Sequence, residues 1–383
     1  MLYDSSGRAF ELGDEMGCGR EGSVYRIVGE PFVAKIFHNP TPQISRKIES
    51  MAAILSVLFE RKKQLLLKLA WPLGALYERS DGRGFKGFFM YEVPEEFVSI
   101  DVVSQFPRNP AAPRMSERQK IEMLIELCKL AAGLHDIGIT VADWNPRNIL
   151  VGDQGRLMLL DTDSYGFTLS GATYDTTCAA PGYIAPEVLQ LMEIADISDF
   201  ESLAASTNAP VFTPQTDDFG LAVHIFKMLN RGIHPYSSGE LDLDIFDLDD
   251  DDIPPAPSLN SCVCNGRSPF VGTLIGYVIP KYALALDDFG NLMGEAFRRS
   301  LYGRAEERLD ARTWARLLDR YLSETVECCP RGHHLYHASQ HECPYCRGER
   351  SIVSSLIALG YLGESPGGDA RVSPACRLRT CRR

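Results

Sequence analysis

The sequence lacks three features that mark common classes of protein. It has no excess of basic residues: its net charge is -12 at pH 7 over 383 residues, which argues against a protein that coats nucleic acid or an acidic membrane. It has no apolar run of bilayer length, so we expect no membrane crossing. The first fifteen residues combine no basic segment with an apolar one, so we expect no signal peptide. The prediction is a cytoplasmic protein of one large or two ordinary domains.

Cysteine is unevenly distributed, and this sets the end of the chain apart. Six of the eleven cysteines lie beyond residue 327, and Cys343 and Cys346 have the C-x-x-C spacing of a metal site. Because no secretory signal is expected, a metal site in a reducing compartment is favoured over a disulfide framework.

We predict that this region binds structural zinc. Cys343 and Cys346 supply half of a tetrahedral ligand set, and a short hairpin can bring in the other half. The candidates for that half are Cys328, Cys329, His333, His334, His337 and His341. We choose Cys329 and His334, and metal would then supply the folding energy of so small a segment. The alternative is a redox-active Cys-x-x-Cys.

The residues with the clearest chemistry cluster between Val141 and Asp163, in VADWNPRNILVGDQGRLMLLDTD. The apolar runs ILV and LMLL, separated by GDQG, predict a β-hairpin. Asn148 follows Asp143 by five residues and Asp161 comes thirteen residues later, so the hairpin can place all three at one edge. There a carboxylate can accept a proton from a hydroxyl, while an amide and a second carboxylate bind Mg²⁺ through oxygen.

A glycine-rich segment near the start of the chain predicts a phosphate-binding hairpin. Gly17, Gly19 and Gly22 form G-x-G-x-x-G and precede SVYRIV, a β-branched and aromatic run typical of a strand. The Rossmann fingerprint shares this spelling but opens a helix. Lys35 lies in the next apolar strand, PFVAKIF, where a cation needs an anion such as a nucleotide phosphate. The alternatives are an ordinary turn and a lysine that extends its ammonium to solvent.

In this order the segments resemble the landmarks of the protein-kinase superfamily: glycine-rich loop, strand lysine, catalytic loop, metal-binding aspartate and the Ala-Pro-Glu motif at 185–187. The order continues with Asp217 at the start of a predicted helix and with Arg308, which the resemblance pairs with Glu187. The resemblance covers about residues 10–323. The motifs D-x-N-P-x-N and D-T-D-S resemble those of an atypical bacterial group within the superfamily.

The resemblance implies an α+β, bilobal protein-kinase-like fold. It places a β-rich N-lobe at residues 1–93 and a helical C-lobe at 94–323, with ATP between them. A small zinc-ribbon-like module at 324–347 and a flexible tail at 348–383 complete the expected domain organisation.

The same resemblance implies roles for single residues. Lys35 holds the α- and β-phosphates and is oriented by Glu49 of the following helix, for which Glu60 is a rival. Asp143 is the catalytic base, and Asn145, where Ser/Thr kinases have lysine, can donate an amide hydrogen bond to the γ-phosphate. Magnesium is expected on Asn148 and Asp161. The remaining nucleotide contacts are expected at Gly17, Gly19, Gly22, Val24, Met90, Tyr91 and Val93.

The implied function is a Mg-ATP-dependent protein kinase, of the Ser/Thr type, acting on a protein substrate in bacterial signalling or stress response. The expected cofactors are ATP, Mg²⁺ and structural Zn²⁺. Val141 and Ala142 replace the usual His-Arg, and Thr162 replaces the usual phenylalanine after Asp161. These departures leave an alternative, a nucleotide-binding pseudokinase that acts as a scaffold by docking a partner through its zinc module. The Ala-Pro-Glu segment disfavours a small-molecule kinase, and nucleic acid is not expected as a partner of the kinase domain.

Overall fold

A computed structural model describes residues 1–61, 63–106, 108–176, 178–207, 210–236, 239–240, 277–278, 283–327 and 334–350. The chain divides into two units. The first comprises Met1–Ile100, Leu130–Ala179 and Ile197–Thr213. The second comprises Asp101–Lys129, Ala180–Asp196 and Pro214–Arg383.

The first unit is built on a seven-stranded antiparallel sheet. Its strands are β1 Leu2–Tyr3, β2 Ala9–Phe10, β3 Leu12–Cys18, β4 Gly22–Ile27, β5 Phe32–Phe37, β6 Gly74–Tyr77 and β7 Phe85–Tyr91. Their spatial order is β2-β1-β6-β7-β5-β4-β3. The β-branched and aromatic residues of these strands favour a sheet. A cluster of buried apolar side chains packs together in this unit. The cluster comprises Leu2, Phe10, Ile27, Ala34 and Leu76.

Two helices follow the fifth strand: α1 Pro42–Arg61 and α2 Lys63–Leu66. Helix α1 packs against β6 and β7. Its buried residues Ile48 and Met51 lie one turn apart, as the helical period of the sequence predicts. The Trp71 indole donates to the Met51 carbonyl at 3.0 Å, which fixes the chain beyond α2 to the helix.

The predicted hairpin after Asp143 is confirmed. Two short strands, β8 Val98–Ser99 and β9 Ile139–Thr140, precede it. Strands β10 Ile149–Val151 and β11 Leu157–Leu159 then pair antiparallel, and β8 joins β10 on its other side. Beyond it, β12 Gly166–Leu169 pairs with β9 and with β13 Ala172–Tyr174.

Between residues 194 and 214 the chain forms helix α6 Phe200–Ser206. The Asp199 carboxylate accepts from the Ser202 N–H at 2.7 Å, and this N-cap starts the helix.

The second unit is mainly helical. The described helices that lie wholly or mostly in it are α3 Ile100–Ser104, α4 Glu117–His135, α5 Pro186–Ala195, α7 Pro214–Leu229, α8 Asn291–Phe297 and α9 Ala311–Ser323. A capping box starts α4: the Ser116 and Gln119 side chains each accept from the other residue's backbone N–H, at 3.2 and 2.9 Å. Helix α7 is buried along almost its whole length. Its Phe226 packs on Phe289 and Phe297 in an aromatic core.

Two small antiparallel pairs complete the second unit. They are β14 Gly239–Glu240 with β15 Tyr277–Val278, and β16 Thr325–Glu327 with β17 Leu335–His337. Residues 344–350 are helical, so the expected flexible tail at 348–383 begins with three helical residues, and its remainder lies outside the described residues. Within the described parts of the chain, no helix is both long and apolar enough to span a bilayer.

Candidate active site

Lys35 and Asp161 form an ion pair in the first unit, although 126 residues separate them in sequence. The Lys35 ammonium lies 2.7 Å from the Asp161 carboxylate and 2.8 Å from that of Asp163. Strand β5 fixes the lysine, whose backbone pairs in register with Val24 on β4 and Phe88 on β7. Burial acts to lower the pKa of Lys35, but the charges and hydrogen bonds of the two aspartates outweigh burial and raise it. The lysine is therefore a permanent cation at neutral pH.

The predicted base and the predicted amide ligand also meet. The Asn148 amide nitrogen donates to the Asp143 carboxylate at 3.0 Å. The Asn148 carbonyl accepts from the N–H of Leu160, at 2.8 Å, one residue before Asp161. A continuous path of contacts and adjacent residues thus joins Asp143 and Asn148 to Asp161 and from there to Lys35.

Near both candidate acids the backbone adopts a left-handed conformation, which residues other than glycine rarely adopt. Ala142, directly before Asp143, has a φ of 58°, and Asp161 itself has a φ of 52°. Left-handed conformations are uncommon outside glycine, and the residues that hold them cluster at functional sites. Here the two left-handed residues lie beside or at the carboxylates of Asp143 and Asp161, before and after the β10–β11 hairpin.

The glycine-rich loop is the turn between β3 and β4, as the sequence predicts. A Cβ atom at Gly22 would lie 2.3 Å from the carbonyl oxygen of Ile36, so only glycine allows β4 to approach β5 there. A Cβ atom at Gly17 would meet nothing within 4 Å. Gly22 therefore serves packing, whereas Gly17 leaves space that a phosphate can approach.

Glu49 does not pair with Lys35 in the structure, contrary to the prediction. Its carboxylate accepts from the Tyr77 hydroxyl at 2.8 Å and from the Ser45 hydroxyl at 2.9 Å. The reason is the phase of α1, which turns Glu49 toward β6 and away from β5. The side chain of the rival, Glu60, lies outside the described residues.

Sequence reasoning missed Asp163, which takes the place at Lys35 that was expected for Glu49. Its side chain is 6% exposed, against 42% for Asp161. The signal was present in the D-T-D-S motif, where a second acid stands two residues after the expected metal ligand.

Thr162, between the two acids, is fully buried and donates to the Ala70 carbonyl at 2.7 Å. A hydrogen bond thus anchors the residue that replaces the usual phenylalanine. The segment that follows is tied to α1 by the Tyr174 and Ser50 hydroxyls, which lie 2.9 Å apart.

Asn145 has a local structural role. Its side-chain oxygen accepts from the N–H of Arg147 at 3.0 Å and caps the short 3₁₀ helix Pro146–Asn148. The predicted nucleotide contacts Met90 and Tyr91 end strand β7, where they pair with Val33 and Phe32 of β5. Val93 lies two residues beyond the end of β7 and is half-buried.

The predicted pair of Arg308 and Glu187 is confirmed within the second unit. Two N–O contacts of 2.8 and 3.0 Å join the guanidinium to the carboxylate. Asp217, also predicted as a landmark, is completely buried in the first turn of α7.

Three of the four predicted zinc ligands converge. The Nδ1 atom of His334 lies 3.3 Å from the sulfur of Cys346 and 3.6 Å from that of Cys343. All three donor atoms lie within 4.8 Å of one another. The fourth predicted ligand, Cys329, lies outside the described residues. His337 is turned away and contacts Glu324 and Ser339, so it is not part of the cluster.

An α+β chain with a glycine-rich hairpin, a strand lysine and paired acids around a catalytic-type hairpin defines a kinase-like protein. Comparison with solved structures agrees, because a crystal structure of a rhoptry kinase from Toxoplasma gondii matches with a TM-score of 0.51 and 13% identity. The match covers 84% of this chain and 83% of that chain. The fold is therefore kinase-like.

Sequence comparisons point to the same class. Protein kinase YegI of Escherichia coli (strain K12) is 28% identical over 380 residues, which cover 96% of this chain and 53% of that protein. CBL-interacting protein kinase 30 of Oryza sativa subsp. japonica is 25% identical over 187 residues, which cover 47% of this chain and 36% of that protein. No family model matches. The chain spans about half the length of the YegI proteins it matches, and these similarities support the kinase-like superfamily.

Proposed function

We propose that this protein is a Mg-ATP-dependent protein kinase that transfers the γ-phosphate of ATP to serine or threonine hydroxyls of a protein substrate. One observation carries the proposal: the contacts that link the cation Lys35, the acid Asp161, the amide Asn148 and the acid Asp143 in one unit. Phosphoryl transfer depends mainly on positioning and charge neutralisation, and these four side chains are the ones it needs.

The donor set fits magnesium. The Asp161 carboxylate is 42% exposed, and Asn148 uses its amide nitrogen toward Asp143, which leaves its amide oxygen as the atom to bind a metal. Both are hard oxygen ligands of the kind that magnesium prefers. Bound magnesium would neutralise the charge on the phosphate oxygens, and Lys35 would hold the phosphates from the strand side.

Asp143 is the proposed base. Its carboxylate is held by the Asn148 amide and by the turn at Ala142, so its orientation is fixed before a substrate arrives. A substrate hydroxyl beside it can give its proton to Asp143 as its oxygen bonds to the γ-phosphorus, while the bond from that phosphorus to the oxygen of the leaving ADP breaks. Asn145 is proposed to contact the γ-phosphate through its amide nitrogen, because only its oxygen is used by the cap at Arg147.

The adenine is proposed to lie against the end of β7, with Met90 behind it. The Glu92 N–H is already used, because it donates to the Pro31 carbonyl at 3.2 Å. We therefore propose that backbone groups of its neighbours, Tyr91 and Val93, face the adenine edge. Gly17, Gly19 and Gly22 with Val24 would cover the phosphates. We propose that the boundary between the N-lobe and the C-lobe lies between residues 93 and 94.

We also propose that residues 324–347 form a zinc-ribbon-like module. The hairpin of β16 and β17 and the convergence of His334, Cys343 and Cys346 support it. Two thiolates and an imidazole suit zinc, and Cys329 is proposed as the fourth ligand. A complete four-ligand set leaves no position for a substrate, so the proposed role is structural.

The test is transfer of ³²P from γ-labelled ATP, with magnesium, to the protein itself and to generic acceptor proteins. Wild type is compared with Asp143→Ala and Asp161→Ala, and Asp153→Asn is the matched control. Asp153 is an exposed acid in the turn of the same hairpin. We expect both site variants to lose at least about a hundredfold in rate and the control to stay within about twofold. Phosphoamino-acid analysis of the product tests the Ser/Thr assignment.

Equal transfer by wild type and both site variants would refute the proposal. A wild type that transfers no phosphate but is thermally stabilised by Mg-ATP would favour the pseudokinase alternative, since a ligand that binds only the folded state raises its stability.

A further inference from the structure

Lys35 lies between two acids that differ sharply in exposure. The Asp163 side chain is 6% exposed and contacts the ammonium at 2.8 Å, whereas Asp161 is 42% exposed and contacts it at 2.7 Å. Glu21 of the glycine-rich loop is 3.8 Å away and 44% exposed. Of the three acids, only Asp163 is buried with the lysine.

Among the side chains of helix α1 that the structure describes, none places a carboxylate where the kinase resemblance expects one. Glu49 lines a separate cavity of about 330 Å³ with Ser45 and Tyr77. Four α1 residues line the same cavity as Asp163, of about 510 Å³, and Lys47 is the charged one among them; the others are Gln43, Ile44 and Ile48. Residues 47 and 49 point to different sides of a helix, so the side of α1 toward Asp163 carries a cation.

We propose that Asp163 is the positioning residue that holds the Lys35 ammonium in place for nucleotide phosphates, in the role expected of the helix glutamate. The holding of Lys35 is a property of this fold, and only its use toward phosphates rests on the function proposed above.

The two acids that contact Lys35, Asp161 and Asp163, then have different roles. Asp161 is the more exposed acid and is the proposed magnesium ligand, so a metal bound to that carboxylate would weaken its contact with Lys35. A cation as buried as Lys35 needs a constant counter-charge, since an unpaired buried ammonium is costly. Asp163 supplies this charge from inside the protein in either state.

The backbone around Asp163 is fixed well enough for this role. Asp163 is the middle residue of the 3₁₀ turn Thr162–Ser164, whose first residue is bonded to the Ala70 carbonyl. Its last residue donates from its N–H to the Asp161 carbonyl at 3.0 Å and from its hydroxyl at 2.7 Å. The turn is thus held on both sides of the carboxylate.

Lys47 completes the arrangement. Its ammonium donates to the Asp175 carbonyl at 3.3 Å. A glutamate at this position would bring a second negative charge toward Asp163, whereas lysine adds attraction. Burial lowers the pKa of Lys47 to about 8, and the charge of Asp163 opposes that shift. In the arrangement that the kinase resemblance implies, the acid that pairs with the strand lysine lies on the helix. In this protein that acid is Asp163 of the turn, and helix α1 instead carries the cation Lys47 on this side.

The first test measures the reactivity of the Lys35 amine, which depends on its protonation and its accessibility, and needs no kinase activity. The full chain is treated with an amine-acylating reagent over a range of pH, and acylation of Lys35 is measured by peptide mass spectrometry relative to Lys129, whose side chain is 60% exposed. We expect Asp163→Asn to lower the pH midpoint of Lys35 acylation and to raise its labelling at pH 8 by about tenfold or more. Asp163→Glu should restore protection. Asp175→Asn, an acid lining the same cavity, is the control.

The second test measures ATP use. We expect Asp163→Asn to lower kcat/KM for ATP by about tenfold or more, and Glu49→Gln to have an effect of about twofold or less. Thermal unfolding verifies that each variant is folded, and Asp163→Ser replaces Asp163→Asn if the latter does not fold.

The outcomes separate the two proposals. If Asp163→Asn labels at Lys35 like the Asp175→Asn control, or if Glu49→Gln produces the change instead, the positioning role of Asp163 is refuted. If wild type transfers no phosphate while Asp163→Asn still exposes Lys35 to acylation, the kinase proposal fails and the role of Asp163 in holding Lys35 stands.

Discussion

Arg308 and Glu187 lie 121 residues apart in sequence and face each other through two N–O contacts, of 2.8 and 3.0 Å. The guanidinium also donates to the Gln215 carbonyl at 2.7 Å and lies over the ring of Phe219. The Arg308 side chain is 2% exposed and that of Glu187 is 34% exposed. The arginine therefore depends on the carboxylate more than the carboxylate depends on the arginine.

This asymmetry predicts that Glu187→Gln lowers the free energy of unfolding by about 2–3 kcal/mol, because it leaves a buried guanidinium without a counter-charge. The double variant Glu187→Gln, Arg308→Met should be less destabilised than the sum of the single variants, by about 1–3 kcal/mol. Urea unfolding of the four proteins measures the coupling. Additivity to within about 0.5 kcal/mol would show that the pair is not coupled.

His234 predicts how stability depends on pH. Burial lowers the pKa of His234 from 6.5 to about 3, and the charge of Lys227 adds to the shift. Its Nε2–H donates to the Gly182 carbonyl at 3.0 Å, and its Nδ1 accepts from the Tyr236 N–H at 3.2 Å, which holds the ring neutral. Between pH 6.5 and 3 the unfolded chain therefore binds a proton that the folded chain does not, so stability falls as pH falls.

We expect the stability difference between wild type and His234→Gln to shrink by about 1.4 kcal/mol per pH unit below 6.5. Denaturant unfolding at pH 7.5, 6.5 and 5.5 measures this difference, because these pH values lie on both sides of the ordinary histidine pKa of 6.5. A difference that stays constant with pH would mean that His234 takes up its proton in the folded state as well.

The sequence predicts the parts of the site that depend on short-range patterns. The Gly17–Gly22 hairpin, the strand of Lys35 and the β10–β11 hairpin all follow from runs of residues shorter than ten, where alternation and turn residues dominate. Asp143 and Asn148 lie five residues apart on one loop, so a local turn is enough to bring them together.

The sequence does not predict which acid meets Lys35, because that depends on the phase of α1 against the sheet. Counting fourteen residues from Lys35 gives Glu49, but each residue turns a helix by about 100°, so the loop before α1 decides which side chain faces the strand. The tertiary contact instead selects Asp163, from a turn 128 residues away. The Arg308 and Glu187 pair is equally long-range, and only the family resemblance made it predictable.

The zinc proposal predicts one equivalent of zinc in the protein as purified without chelator. Cys343→Ser and Cys346→Ser should each lose most of it, because each removes one of the thiolate ligands. Removal of the metal by a chelator should lower the melting temperature, since binding energy is part of the folding energy of a small module. Elemental analysis and thermal unfolding are the measurements. Cys18→Ser, a change at an exposed cysteine of the first unit, is the matched control and should keep full zinc. Wild type with far less than one equivalent would refute the site.

Glu349 predicts a finer property of the same site, its affinity. The Nε2 atom of His334, on the far side of the ring from the two cysteines, lies 3.2 Å from the Glu349 carboxylate. Arg231, two residues beyond the end of α7, contacts that carboxylate at 2.8 Å and the same Nε2 atom at 2.8 Å, and its guanidinium lies over the ring of Tyr345. A carboxylate behind a ligating histidine fixes the orientation of the ring and makes it a better donor.

Glu349→Gln should therefore weaken zinc binding by about tenfold or more without removing a ligand. Competition against a chromophoric chelator measures the affinity, and the stoichiometry should remain one zinc per chain. Glu342→Gln is the matched control, since Glu342 is an acid of the same module that pairs with Arg350 at the surface. Equal affinities for the two variants would show that Glu349 does not orient His334, and its contact with Arg231 would then only attach the helical residues 344–350 to the segment after α7.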